Sequence, residues 1–257
     1  MTVQWIYDWL DAQAPFETQE GFDNAGLLTG RPDMEVTGIL LALDCTLQTV
    51  EEAAEKGCNV ILTHHPLMFA PRQNMREDTF EGAILCGLIR NHIALISAHT
   101  NLDKAEGGVN DALIARLGLV KTAGESFVRV GHLPAPMNSC ELAAYCSEKL
   151  NTVVRLCGNA DQPVEYLGVG SGAGSDEWQL ARNLGAQAYL TGECKHHHAI
   201  EAAQAGFPIL EAGHYATEDP GMDALATALQ KALDEVQYKI TVYRTRTSPY
   251  GECVKRP

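Results

Sequence analysis

Short runs of mostly apolar residues recur at 38–43, 60–63, 93–98, 166–170, 188–191 and 207–210, and stretches of helical spacing separate them. A strand that is apolar on both faces must be covered on both, and helices between such strands do the covering. The pattern therefore predicts an α/β chain with mixed sheets flanked by helices. Helices are expected at 3–14, closed by Pro15, and at 47–56, 80–91, 110–117, 139–150, 176–183, 200–205 and 222–236. Gly57, Gly118, Gly185 and Gly206 stand where helix-ending glycines belong. A last strand is expected at 239–245. With 257 residues, 46% of them hydrophobic, the chain is long enough for one large domain or two small ones and too apolar for a disordered segment.

The two halves look alike. LTHH at 62–65 follows a strand–helix–strand succession, and LTGECKHH at 190–197 follows another, which suggests an internal duplication. Two related subdomains are expected, one from 1–128 with 215–257 and the other from 129–214. The Gly131, Pro134 and Pro136 segment, 131–136, reads as the linker between them.

Histidine placement carries the functional signal. His64, His65, His99, His196, His197, His198 and His214 all lie at or just beyond the carboxyl ends of expected strands, where ligands bind in open α/β sheets. Asp103 follows His99 by four residues and Glu218 follows His214 by four. Imidazoles with carboxylates suit divalent Fe, Zn, Mn, Co or Ni, and three histidines with two carboxylates can hold two ions roughly 3.5–4 Å apart. Taken singly, each piece has a plain structural reading: a histidine pair caps a helix, an aspartate after a strand caps the next one, and His214 with Glu218 are neighbours on a helix face. Three successive histidines cannot all enter one pocket, so at most one or two of 196–198 act there and the rest face solvent. His92 and His132 read as structural.

Several classes are disfavoured. A net charge of −14, from 19 basic and 33 acidic residues, argues against nucleic-acid binding, though a small anionic substrate reads only the local field. The longest apolar runs fall far short of the roughly 18 residues of a spanning helix, so no membrane association is expected. The glycine block 168–174 fails the dinucleotide pattern at Ala173 and lacks a P-loop lysine. It reads as a tight turn before a helix whose N–H groups could still hold a phosphate. Ser171 lacks the frame of a hydrolase nucleophile. The eight cysteines are scattered without a CxxC pair, and the acidic start of the chain does not read as an export signal, so a cytoplasmic protein with reduced thiols is expected.

FDNAGLL (22–28), ALDCT (42–46), LTHHPL (62–67), SAHTNLD (97–103), YLTGE (189–193) and GHYATE (213–218) together make the sequence resemble the Nif-three-like family, also labelled GTP cyclohydrolase I type 2 homologues. The blocks span nearly the whole chain in the family's order, in the short form without a mid-chain insertion. The resemblance implies two related α/β subdomains, a dinuclear metal site from His64, His65, Asp103, His214 and Glu218, and a ring-shaped homohexamer. Asp44, His99, Glu193, Lys195 and His197 fall in the blocks that line its cavity. His99 or His197 would then move protons, with Glu193 also in a catalytic role, and Lys195 would meet the triphosphate of a nucleotide. The implied reaction is hydrolytic opening of the GTP imidazole ring with loss of formate. A two-metal phosphoesterase or nucleotidase, and a non-enzymatic metal-handling or regulatory protein, remain open beside it.

Overall fold

The computed structural model describes residues 1–245 and 247–250, so Cys253 lies outside the described residues. Helix α1 (Val3–Gln13) leads into β1 (Gly26–Thr29), β2 (Ile39–Ala42), α2 (Leu47–Glu55), β3 (Val60–Thr63), α3 (Phe80–Arg90) and β4 (Ala94–Ser97). Two short helices, α4 (Thr100–Lys104) and α5 (Val109–Arg116), precede a hairpin of β5 (Val120–Glu125) and β6 (Val128–Asn138). The chain continues through α6 (Ser139–Leu150), β7 (Arg155–Cys157), β8 (Pro163–Gly170), α7 (Trp178–Asn183), β9 (Ala188–Thr191) and α8 (His196–Gln204). It then runs through β10 (Ile209–Glu211), α9 (His214–Glu235) and β11 (Val242–Arg244). Two compact units result, one from residues 1–9, 22–99 and 228 onward, the other from 10–21 and 100–227.

The first unit holds a five-stranded sheet in the order β1-β4-β3-β2-β11. Strands β2, β3, β4 and β11 are parallel and β1 is an antiparallel edge. Every residue of β2, β3 and β4 is buried, as the doubly apolar runs require. Leu40, Ile61 and Leu95 pack on one face with Val50, Ala53, Ile84 and Leu88 from α2 and α3. A reciprocal cap, Thr46 with Thr49, starts α2.

The second unit holds six strands in the order β5-β6-β8-β9-β10-β7, with β8, β9 and β10 parallel. Alternate residues divide between two cores: Leu167, Val169, Ala188, Leu190 and Leu210 lie on one side, Tyr189 and Ile209 on the other with Trp178 and Phe207.

The duplication is visible in the topology. The succession α1-β1-β2-α2-β3-α3-β4-α4 is repeated by α6-β7-β8-α7-β9-α8-β10-α9. The strand order β1-β4-β3-β2 matches β7-β10-β9-β8, with an antiparallel edge strand in both. Parallel strands in register bring their carboxyl ends level: Ala42, Thr63 and Ser97 in one sheet, Gly170, Thr191 and Glu211 in the other.

The structure corrects three expectations. Residues 131–136 are no linker; they lie inside β6, and the prolines fall where the β6–β8 register is interrupted between His132 and Met137, a position that needs no N–H donor. Helix α9 begins at His214 instead of 222, because Pro220 inside it forfeits one backbone bond without ending the helix. His196–His198 open α8 instead of preceding it.

Candidate metal centre

In the first unit the polar ends of three neighbouring strands converge. The turn after β3 is held by His65 N–H donating to the Leu43 carbonyl (3.0 Å) and by Ala98 N–H donating to the Thr63 carbonyl (2.9 Å). This turn carries His64 and His65, and the residues after β4 carry His99. Ring centroids of the three lie 5.0 Å (His64–His65), 5.1 Å (His64–His99) and 5.5 Å (His65–His99) apart. One ring nitrogen from each lies within 4.8 Å of the others, a group that could hold a metal ion.

Every Nδ1 in this group meets an oxygen acceptor. His64 is paired with the Ala98 carbonyl at 2.9 Å, His65 with Asp44 Oδ1 at 2.8 Å and His99 with Asp23 Oδ1 at 2.9 Å. Asp23 Oδ1 also accepts the Asn24 N–H at 2.7 Å, and its side chain is wholly buried. Asp44 was in reach of sequence reasoning as a cavity residue. Asp23 was not singled out; its only signal was its place in the FDNAGLL block, and its partner lies 76 residues away. The Phe69 ring stands edge-on to His99 at 5.6 Å. Burial, reinforced by the Asp44 charge, pushes the thiol of the neighbouring Cys45 up to about 12.

The second unit builds its donors around the glycine turn after β8. His214 opens α9, with Nδ1 2.8 Å from Glu193 Oε1 and Nε2 3.1 Å from Glu218 Oε2, one helical turn on. Glu218 and Asp103 are buried. Ser171 Oγ donates to Asp103 Oδ1 at 3.5 Å, the outer limit for such a bond. Asn110 ties the two segments together, donating to the Asp103 carbonyl (3.1 Å) and accepting the Ser171 N–H (2.8 Å). The Gly172 N–H donates to Thr217 Oγ1 (3.1 Å). The Ser171 and Gly172 N–H groups are thus committed within the protein. At Gly172, whose φ is +59°, a β-carbon would stand 2.2 Å from Glu218 Oε1 and 3.2 Å from His214 Nε2. Only glycine lets the backbone pass this close to the carboxylate.

The remaining candidates lie at the start of α8. Glu193 reaches His214 from a half-exposed position. Lys195 and His197 are exposed, the His197 ring is 4.1 Å from that of His198, and His198 Nδ1 is 3.0 Å from Ser175 Oγ.

Donor sets of imidazole and carboxylate, arranged at strand ends in both units, are what a divalent metal site requires. The profile of the Duf34/NIF3 (NGG1p interacting factor 3) family matches residues 1–249. The chain belongs to that family. A Clostridium acetobutylicum protein named GTP cyclohydrolase 1 type 2 homolog is 34% identical over 252 residues, covering 92% of this chain and 93% of its own. A Streptomyces coelicolor protein of the same name is 34% identical over 253 residues, covering 93% and 89%. Among solved structures, a Staphylococcus aureus hypothetical protein aligns with a TM-score of 0.91 at 30% identity, over 98% of this chain and 99% of that one. Reduced HcgD from Methanocaldococcus jannaschii aligns with a TM-score of 0.79 at 28% identity, over 96% and 98%.

Proposed function

We propose that this chain is a metal-dependent hydrolase that opens the imidazole ring of GTP and releases formate, working as a ring-shaped homohexamer in the cytoplasm. The observation that carries the metal reading is the group of His64, His65 and His99, with one ring nitrogen of each within 4.8 Å of the others. The names of relatives that align over most of the chain support the choice of substrate.

In this reading two divalent ions are held by His64, His65, Asp103, His214 and Glu218. Such ions supply a water that ionises near neutral pH. The protein's own groups do the rest. Glu193 holds the His214 ring through Nδ1 and keeps its orientation. Lys195 offers a local positive charge to the triphosphate in a chain that otherwise repels it. His197 passes a proton to a departing ring nitrogen. Overall, two waters add in turn at the carbon between the two ring nitrogens: the first opens the ring to a formamide, the second cleaves that amide, both carbon–nitrogen bonds break with the protons going to the nitrogens, and the carbon leaves as formate with one oxygen from each water.

The test is formate release from GTP by tag-free protein loaded separately with Fe, Mn or Zn, with Glu218→Gln alongside. Metal-dependent formate that falls to background in the variant is the expected result. Protein holding two ions per chain and releasing no formate with any metal overturns the cyclohydrolase reading. Turnover of nitrophenyl phosphates would then identify a phosphoesterase.

A further inference from the structure

The proposed mechanism draws on imidazoles, carboxylates and a lysine and leaves the thiols of the second unit unused. Two of those thiols stand together. Cys157 ends β7, where it pairs with Ile209 of β10, and β10 in turn pairs with β9, the strand that runs out toward Cys194. Both cysteine side chains are half-buried and pack against the same core, that of Trp178, Phe207 and Ile209. The Cys194 S–H stands between the Lys195 carbonyl, whose oxygen is 3.7 Å from Sγ, and the Cys157 sulfur, with which it also forms a hydrogen bond. Arg155, at the other end of β7, is paired with Glu211, and both charges act on Cys194.

We propose that Cys157 and Cys194 are a redox-active pair that closes to a disulfide on meeting a low-molecular-weight disulfide, latching the segment 193–195 to the edge strand β7. The proposal depends on neither the metal nor the substrate. Position gives the bond its consequence. Cys194 sits between Glu193, whose carboxylate meets His214 Nδ1 at 2.8 Å, and Lys195, which leads into α8. A covalent link from Cys194 to a strand of the sheet restrains the segment from which both side chains project. In a reducing compartment a bond of this kind forms transiently and reports the redox state.

The two sulfurs take different parts. Burial above all, helped by Cys157 and Glu211 against the opposing Arg155, pushes the Cys194 thiol up to about 11, so this sulfur keeps its proton at neutral pH. Cys157 is accordingly the sulfur that attacks first. Its thiolate displaces one thiol from the small disulfide and leaves a mixed disulfide on Cys157. Cys194 then gives up its proton, attacks the Cys157 sulfur and expels the second small thiol. Two protein thiols are oxidised, one small disulfide is reduced to two thiols, and the two protons end on them. Contact between the side chains makes the second step intramolecular, which offsets the small thiolate fraction of Cys194.

The test incubates the full, reduced chain with oxidised glutathione until the exposed Cys140 carries glutathione. Remaining thiols are then alkylated and peptides are mapped by mass without reduction. A peptide pair linked through Cys157 and Cys194, and released by dithiothreitol, is the expected result. Cys194→Ser should instead accumulate glutathione on Cys157. The amides of Glu193 and Lys195 are bonded to the Gly172 carbonyl and to Ser175 Oγ, so they exchange with solvent by local opening. Their hydrogen exchange should slow severalfold in the oxidised protein and recover on reduction, a readout on the unaltered chain that stands even if the variant fails to fold. Protein with glutathione on Cys140, but with Cys157 and Cys194 still free or linked elsewhere, overturns the pair. A bridge that forms and leaves the exchange of this segment unchanged overturns the latch.

Discussion

At the scale of single residues, the site depends on what stands directly behind its donors. Gly172 is the sharpest case, since its φ of +59° and its approach to Glu218 both exclude a side chain. Gly172→Ala is expected to lose about 1–2 kcal/mol to backbone strain alone, and to displace Glu218 as well. Gly185→Ala is the matched control, with φ at +94° and nothing within 4 Å of a β-carbon. Denaturant unfolding of both, with cobalt titration, separates strain from displacement: both variants lose stability and only Gly172→Ala loses metal. Equal cobalt affinity in the two would remove Gly172 from the site. The cysteines set a boundary of another kind. Burial pushes Cys146 up to about 12 and Cys194 up to about 11, which keeps these thiols protonated at neutral pH and in the background of an imidazole and carboxylate chemistry.

Between elements, one buried arginine does much of the joining in the second unit. Arg129 on β6 donates to the carbonyls of Lys104 and Ala105 at the end of α4, to those of Ser126 and Val128, and to Asp111 in the first turn of α5. Arg129→Met strands these acceptors, and a loss of about 3–5 kcal/mol in unfolding free energy is expected by denaturant titration. A loss below about 1 kcal/mol would mean that water replaces the guanidinium. The partner carboxylate predicts a pH dependence. Burial by itself would raise Asp111, but Lys121, the Gly107 N–H and Arg129 together hold it below the usual carboxylate range. A folded-state value below the unfolded one stabilises the protein at pH above the unfolded value, about 3.9. That contribution is lost as pH falls toward the folded value. The destabilisation caused by Asp111→Asn should accordingly be greatest near neutrality and shrink below about pH 4; a penalty constant from pH 7 to pH 3 would contradict the assignment.

For the molecule as a whole, the first unit leaves Phe22, Phe69 and Phe80 half or more exposed on the single chain. Scattered apolar residues are ordinary on a surface, but aromatic rings in such numbers fit burial in a larger assembly. Light scattering on the purified protein should give a mass about six times 27.9 kDa if the proposed ring forms. A monomer at micromolar concentration would sink the ring and leave the metal chemistry to be judged on its own. Among the described residues no helix is long and apolar enough to cross a membrane.

Much of this was readable from the chain alone. The runs that became β2, β3, β4, β8 and β9 are apolar on both faces, which only a covered parallel sheet explains, and the similar blocks at 62–65 and 190–197 mark the duplicated topology. The histidines of the candidate centre were found by their position after strands, a local property. The hairpin strand β5 escaped because it is an edge exposed along nearly its whole length and carries no alternation. Residues 131–136 were misread because proline signals a break, while the tolerance of β6 for it at an interrupted register depends on its partner strand. Asp23 escaped for the same reason at longer range. A hydrogen bond between residues 23 and 99 has no period and no spacing; it exists because a sheet brings them together. Local composition thus determined which elements form and which side chains could bind a metal. Tertiary structure decided which acceptor faces each imidazole, and through it the nitrogen that each ring presents.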